Sequence, residues 1–143
     1  MLFGKKQVEA GGVGYRIVAA DDQEDVRTIL QKGLTAAGHT VFSAVDGEDA
    51  LEKIKNEKPD LVILDIRMPK LDGIHALQVI KKSPLTRNLP VIMLTGESSD
   101  EQLLAGYMFG ADYYITKPFR LQTVLTGITM VMKPDKRPGK YTI

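Results

Sequence analysis

Leu61-Val62-Ile63-Leu64-Asp65 is an aliphatic run closed by a carboxylate, and Ile66-Arg67-Met68-Pro69-Lys70-Leu71-Asp72-Gly73 follows it. Four consecutive aliphatic residues fit a strand buried on both faces, the pattern of a parallel sheet. Asp65 would then stand at the carboxyl edge of the sheet, where open α/β sheets place their ligand sites. A charge buried there is costly unless it has a partner, a metal ion or a reaction to serve.

The same rhythm extends in both directions. Ile17-Val18-Ala19-Ala20 is a short apolar strand ending in Asp21-Asp22. Val26, Ile29, Leu30, Gly33, Leu34 and Ala37 fall at helical spacing, with Gly38 as a stop. Thr40 to Ala44 reads as a second strand, and Asp46-Gly47-Glu48 opens a helix carrying Ala50, Leu51 and Ile54 that ends before Pro59. After the third strand, Asp60 to Leu64, comes a helix with Ile74, Leu77 and Ile80. Pro90 to Leu94 forms a fourth strand ending at Thr95-Gly96. Ser98 and Ser99 are N-cap candidates for a helix through Leu103, Leu104 and Met108, closed by Gly110. Tyr113 to Thr116 is the fifth strand, ending at Lys117-Pro118, and a last helix runs from about Arg120 to Met132. Repeated strand–helix units predict a parallel sheet with helices on both faces. Residues 1–14, with four glycines and no periodicity, read as a flexible extension, 15–132 as the folded domain and 133–143 as a tail.

The 143 residues suit one domain, and 43% apolar with 26% charged residues suits a soluble globular core. Nineteen basic against eighteen acidic residues leave a net charge of +1, which argues against a mainly electrostatic nucleic-acid binder. The absence of cysteine excludes disulfides and thiolate metal sites. The two histidines, His39 and His75, are too few for a His-rich metal site and are expected at the surface. No apolar run approaches the roughly 20 residues needed to span a bilayer, and the N-terminus lacks the apolar segment of a signal peptide. A cytoplasmic location without membrane insertion is the expectation.

Three predicted strands end in charged groups, Asp21-Asp22, Asp65 and Lys117, and a fourth ends in the hydroxyl of Thr95. In a parallel sheet all four ends share one edge. Three neighbouring carboxylates repel by on the order of a few kcal/mol per pair at intermediate dielectric. A hard divalent cation relieves this, and an oxygen-only donor set suits Mg2+ or Mn2+. A carboxylate beside a metal, a hydroxyl and an ammonium is equipped to take up a phosphoryl group as its nucleophile. Gly96, with no side chain, would leave the approach to Asp65 open. Asp22 has a second reading as the N-cap of the first helix, with Asp25 three residues on.

Asp21-Asp22, Asp65 with Met68-Pro69 and Asp72-Gly73, Thr95-Gly96 and Lys117-Pro118-Phe119 together resemble the signature of the response-regulator receiver domain, in order and spacing across residues 15–132. The resemblance implies a doubly wound, flavodoxin-like five-stranded parallel sheet in the order 2-1-3-4-5 with five helices. It implies that Asp65 accepts a phosphoryl group from a sensor histidine kinase or phosphotransfer protein. It also implies that Asp21, Asp22, Asp65 and the backbone carbonyl of Arg67 hold Mg2+, with Thr95 and Lys117 on the phosphoryl group. Thr95 and Tyr114 would act as switch residues, and the adjacent tyrosines Tyr113 and Tyr114 would point to opposite faces of the sheet. Arg67 and Glu97 match positions that tune phosphoryl lifetime, and the Lys117–Pro118 bond is expected to be cis.

The output face implied is the fourth helix, fifth strand and fifth helix, including Leu103, Leu104, Tyr107, Tyr114 and the segment 121–132. It would serve an unidentified target or a homodimer, without direct nucleic-acid binding. The chain looks more like the single-domain chemotaxis type than a transcription factor. The alternatives are a receiver fragment of a hybrid kinase or multidomain regulator, and an aspartyl-phosphate phosphohydrolase. The latter class wants an aspartate two residues after its nucleophile, where this chain has Arg67. A receiver that binds without taking phosphate would lack one of the acids or the lysine, and none is missing.

Overall fold

The structure, a computed structural model, describes residues 14–96 and 109–133. β3 (Leu61–Asp65) is buried at every position and lies at the centre of the sheet. Its neighbours are β1 (Arg16–Ala20) and β4 (Val91–Thr95), and β2 (Thr40–Ala44) and β5 (Tyr113–Thr116) form the edges. The order is β2-β1-β3-β4-β5 and every pairing is parallel. This is the doubly wound sheet that the aliphatic runs imply, because parallel strands must be covered on both faces.

Alternate residues divide the core. Val18, Ala20, Val62, Leu64, Val91 and Met93 face α2 (Gly47–Glu57) and α3 (Gly73–Lys82), which contribute Ala50, Ile54, Leu77 and Ile80. Ile17, Ala19, Leu61, Ile63, Ile92 and Leu94 face α1 (Glu24–Ala36) and α4 (Leu121–Met132), which contribute Leu30, Leu34, Val124 and Ile128. Tyr113 and Tyr114 obey the same alternation, with Tyr114 packed on the first cluster and Tyr113 on the second. The predicted helix through Leu103, Leu104, Tyr107 and Met108 lies outside the described residues, as do the extension up to residue 13 and the tail from 134. Among the described residues no helix is long and apolar enough to cross a membrane.

Two local expectations change. The N-cap of α1 is Gln23, one residue beyond Asp22, and its side chain makes no capping hydrogen bond. His39, expected at the surface, is only 7% exposed. It stacks on Tyr15, with ring centroids 5.6 Å apart, and its Nδ1 accepts the Tyr15 backbone N–H at 3.0 Å. Burial lowers its pKa, which suits a neutral ring with a free lone pair on Nδ1. Its place between the end of α1 and the start of β2 has no periodicity of its own to reveal this.

Asp72-Gly73, a turn signal in the sequence, does two things at the start of α3. The Asp72 carboxylate accepts the His75 backbone N–H at 2.8 Å, capping the helix. Gly73 lets that helix start lie against the end of β3: a Cβ there would sit 2.1 Å from the Asp65 carbonyl oxygen. The Gly73 N–H donates to the Ile66 carbonyl at 2.8 Å, so the approach is fixed. At Gly96, by contrast, a Cβ would meet nothing within 4 Å among the described residues. Gly73→Ala is therefore expected to lower the unfolding free energy by about 2–4 kcal/mol, measured by urea denaturation. Gly96→Ala should stay within about 0.5 kcal/mol of wild type in the same assay.

Candidate functional site

Strand register brings the edge residues together. Ala20 pairs with Leu64, so the next residues, Asp21 and Asp65, emerge side by side from β1 and β3. Asp65 itself pairs with Leu94, which places Thr95 one step further along the adjacent strand. Thr95 pairs with Thr116, and the Lys117 backbone N–H donates to the Thr95 carbonyl at 2.7 Å. Lys117 thus starts two strands away from Asp65, and its long side chain spans the gap. The Lys117–Pro118 peptide is cis.

The Lys117 Nζ lies 2.7 Å from Asp21 Oδ2 and 3.4 Å from Asp65 Oδ2. Asp21 is 0% exposed, Asp65 4% and Thr95 1%, while Asp22 is exposed. Asp21, Asp22 and Asp65 each offer an oxygen, and these atoms lie within 4.8 Å of one another. Asp21 Oδ2 is fully buried and accepts no well-directed hydrogen bond, although the ammonium touches it. A buried oxygen in that state, among oxygen-only donors, fits a small hard cation such as Mg2+.

Burial, and next the charge of Asp21, push the Asp65 carboxyl up to about 6; Lys117 and the Arg67 backbone N–H hold it back. Burial alone would lower the pKa of Lys117. The close contact with Asp21 and the charges of Asp65 and Asp21 outweigh this and raise it above the ordinary lysine range. The site therefore carries too much negative charge for one ammonium to neutralise fully. Arg67 lines an open groove with Asp22, Met68, Pro69 and Asp72, beside the acid cluster. Tyr114 pairs with Met93 on β4 and packs half-buried on the core cluster facing α2 and α3. Glu97 lies outside the described residues.

Sequence reasoning passed over Gln23. Its Oε1 accepts from Lys117 Nζ at 3.4 Å, and its backbone N–H donates to Asp21 Oδ1 at 2.9 Å. The available signal was a long amide at a helix N-cap, where shorter polar residues are preferred.

The model of the response regulator receiver domain matches residues 17–129, and the chain belongs to that family. It is 38% identical over 118 residues to the alkaline phosphatase synthesis transcriptional regulatory protein PhoP of Bacillus subtilis (strain 168), covering 82% of this chain and 48% of that protein. The chemotaxis response regulator CheY4 of Vibrio cholerae superposes with a TM-score of 0.79 at 30% identity, over 83% of this chain and 99% of CheY4. The signal receiver domain of a signal transduction histidine kinase from Syntrophus aciditrophicus gives a TM-score of 0.79 at 27% identity, over 91% of this chain and 98% of that domain. The chain spans about half the length of the curated relatives it matches.

The raised Asp65 pKa has a consequence for stability. Below pH 3.8 the carboxyl is protonated whether the chain is folded or not; between 3.8 and about 6 only the unfolded chain ionises it readily; above about 6 the folded state carries the full cost of the charge. In metal-free protein, Asp65→Asn is expected to raise the unfolding free energy by on the order of 2–3 kcal/mol at pH 7.5. The gain should shrink towards zero as the pH falls to about 4, read from urea midpoints across that range with a chelator present.

Proposed function

We propose that this chain is a phosphoacceptor switch of a two-component system and that Asp65 takes up the phosphoryl group. The observation that carries this reading is the convergence on one buried carboxylate of a second buried carboxylate, Asp21, and an ammonium, Lys117, at 3.4 Å. A carboxylate oxygen of Asp65 attacks phosphorus as the phosphohistidine P–N bond breaks. The electron pair leaves with the imidazole nitrogen, which takes up a proton. Asp65 passes from a singly charged carboxylate to an acyl phosphate of higher charge. The Lys117 ammonium and the Thr95 hydroxyl would stabilise that charge.

Asp21, Asp22 and Asp65, with the Arg67 carbonyl, would hold the cation. Bound there, Mg2+ or Mn2+ would neutralise the acid cluster and favour the ionised, nucleophilic form of Asp65. Residues 15–132 form the receiver unit, and the donor is a histidine kinase or phosphotransfer protein. The added charge draws on Thr95 and Tyr114 as switch residues, and Arg67 with Glu97 sets how long the phosphoryl group survives. A shift of about 1–3 kcal/mol between two conformers suffices for signalling. It would be read on the face of the predicted helix over 98–108, β5 and α4, by a separate target or a second copy. The mixed anhydride limits its own lifetime, so the protein turns itself off without acting as a metabolic enzyme.

The test is incubation with acetyl phosphate and Mg2+, followed by intact mass. Wild type should gain one phosphoryl group, and excess chelator should abolish the gain. Asp65→Asn should gain none; an adduct surviving in that variant would overturn the assignment. A second expectation concerns the metal alone. With Mg2+ at about 100 times its dissociation constant, the wild type should gain about 2.7 kcal/mol of stability. Asp22→Asn should gain clearly less at the same concentration, read by thermal denaturation with and without chelator.

A further inference from the structure

Gln23 stands where a helix wants a cap and does not provide one. Short side chains that reach the first free N–H groups are preferred at an N-cap, and those at α2 and α3 are aspartates that do so, Asp46 and Asp72. At α1 the amide side chain makes no such bond and is turned to Lys117, with Oε1 3.4 Å from Nζ. Residues that break a local rule mark sites where something other than stability is served.

The backbone around Gln23 is held on both sides. Its N–H is tied to Asp21 Oδ1 at 2.9 Å, and its carbonyl accepts the Arg27 N–H at 3.1 Å. The Asp21 carboxylate is thereby divided, with Oδ1 on the Gln23 backbone and Oδ2 on the Lys117 ammonium at 2.7 Å. An ammonium has three donors, and the contacts seen for Lys117 are Asp21, Asp65 and Gln23. Asp21 is the nearest and lies deepest. Asp21 takes the shortest contact, and Gln23 offers the ammonium a further acceptor on the exposed side. Gln23 is exposed and lines the outer groove with Pro118 and Phe119. Its neutral oxygen contacts the ammonium without adding to the negative charge of the acid cluster.

We propose that Gln23 is a positioning residue, and that its amide oxygen keeps the Lys117 ammonium directed at the mouth of the site, where the phosphoryl oxygens arrive on Asp65. This rests on the reading of Asp65 as the phosphoacceptor. It assigns Gln23 no contact with the phosphoryl group and no share in holding the metal.

The test is the rate of phosphorylation by acetyl phosphate in wild type, Gln23→Met and Gln23→Ser, over a range of donor and Mg2+ concentrations. Gln23→Met keeps the length and loses the oxygen; Gln23→Ser offers a better cap and cannot reach Lys117. Both variants are expected to lose about three- to tenfold in maximal rate, with half-saturating donor and Mg2+ within about twofold of wild type. Gln23→Ser should melt at or above the wild-type temperature, a combination that a purely structural role does not produce. Maximal rates within about twofold of wild type in both variants would overturn the proposal. So would a loss of rate matched by a lower melting temperature in Gln23→Ser. Wild type labelled at Asp65 with unchanged Gln23 variants refutes this inference alone, whereas unlabelled wild type refutes the phosphoacceptor reading and this inference with it.

Discussion

Two carboxylates buried side by side, Asp21 and Asp65, are tolerable in this molecule because one ammonium reaches both of them. Neither acid has free access to water, and burial together with the charge of Asp21 makes Asp65 harder to ionise. Lys117 relieves part of that repulsion and leaves a remainder. That remainder is an excess of negative charge at one sheet edge, and under the proposed function it is what a cation at the acid cluster would offset.

The rest of the fold serves this arrangement. The order β2-β1-β3-β4-β5 puts β1 and β4 on either side of β3, so the residues after Ala20 and Leu94 flank Asp65 without any long loop. Pairing with β4 then brings the end of β5 within one lysine length. Below the edge, the strands are packed on both faces by aliphatic side chains, which makes their ends poor places to relax. The start of α3 closes the remaining side, resting against the Asp65 carbonyl through Gly73. Charge strain is thus concentrated at one edge by a core that cannot yield.

Much of this could be read in the chain. Unbroken aliphatic runs indicated β1, β3 and β4, because burial on two faces leaves that signature; the mixed segments Thr40–Ala44 and Tyr113–Thr116 read as the second and fifth strands, and helical periodicity indicated the four described helices. Asp21, Asp22, Asp65, Thr95 and Lys117 stood out because they fall at the ends of predicted strands. The cap of α1 was less visible, since Asp22 and Gln23 are both polar and only the geometry shows which residue flanks the helix. His39 was misplaced because its burial depends on Tyr15, which is distant in sequence and brought alongside by the β1–β2 pairing. Gln23 was missed because a long amide is unremarkable in a list of residues, and its partner lies at the far end of the domain.

The sequence by itself determined the parallel sheet and which residues would end its strands, since periodicity and residue type are local properties of the chain. Only the tertiary structure decided that the Lys117 ammonium lies nearer Asp21 than Asp65, that Gln23 shares it, and that Gly73 is required by contact with a backbone carbonyl. Those outcomes depend on strand register and on the reach of individual side chains across neighbouring strands, distances that no pattern along one chain contains.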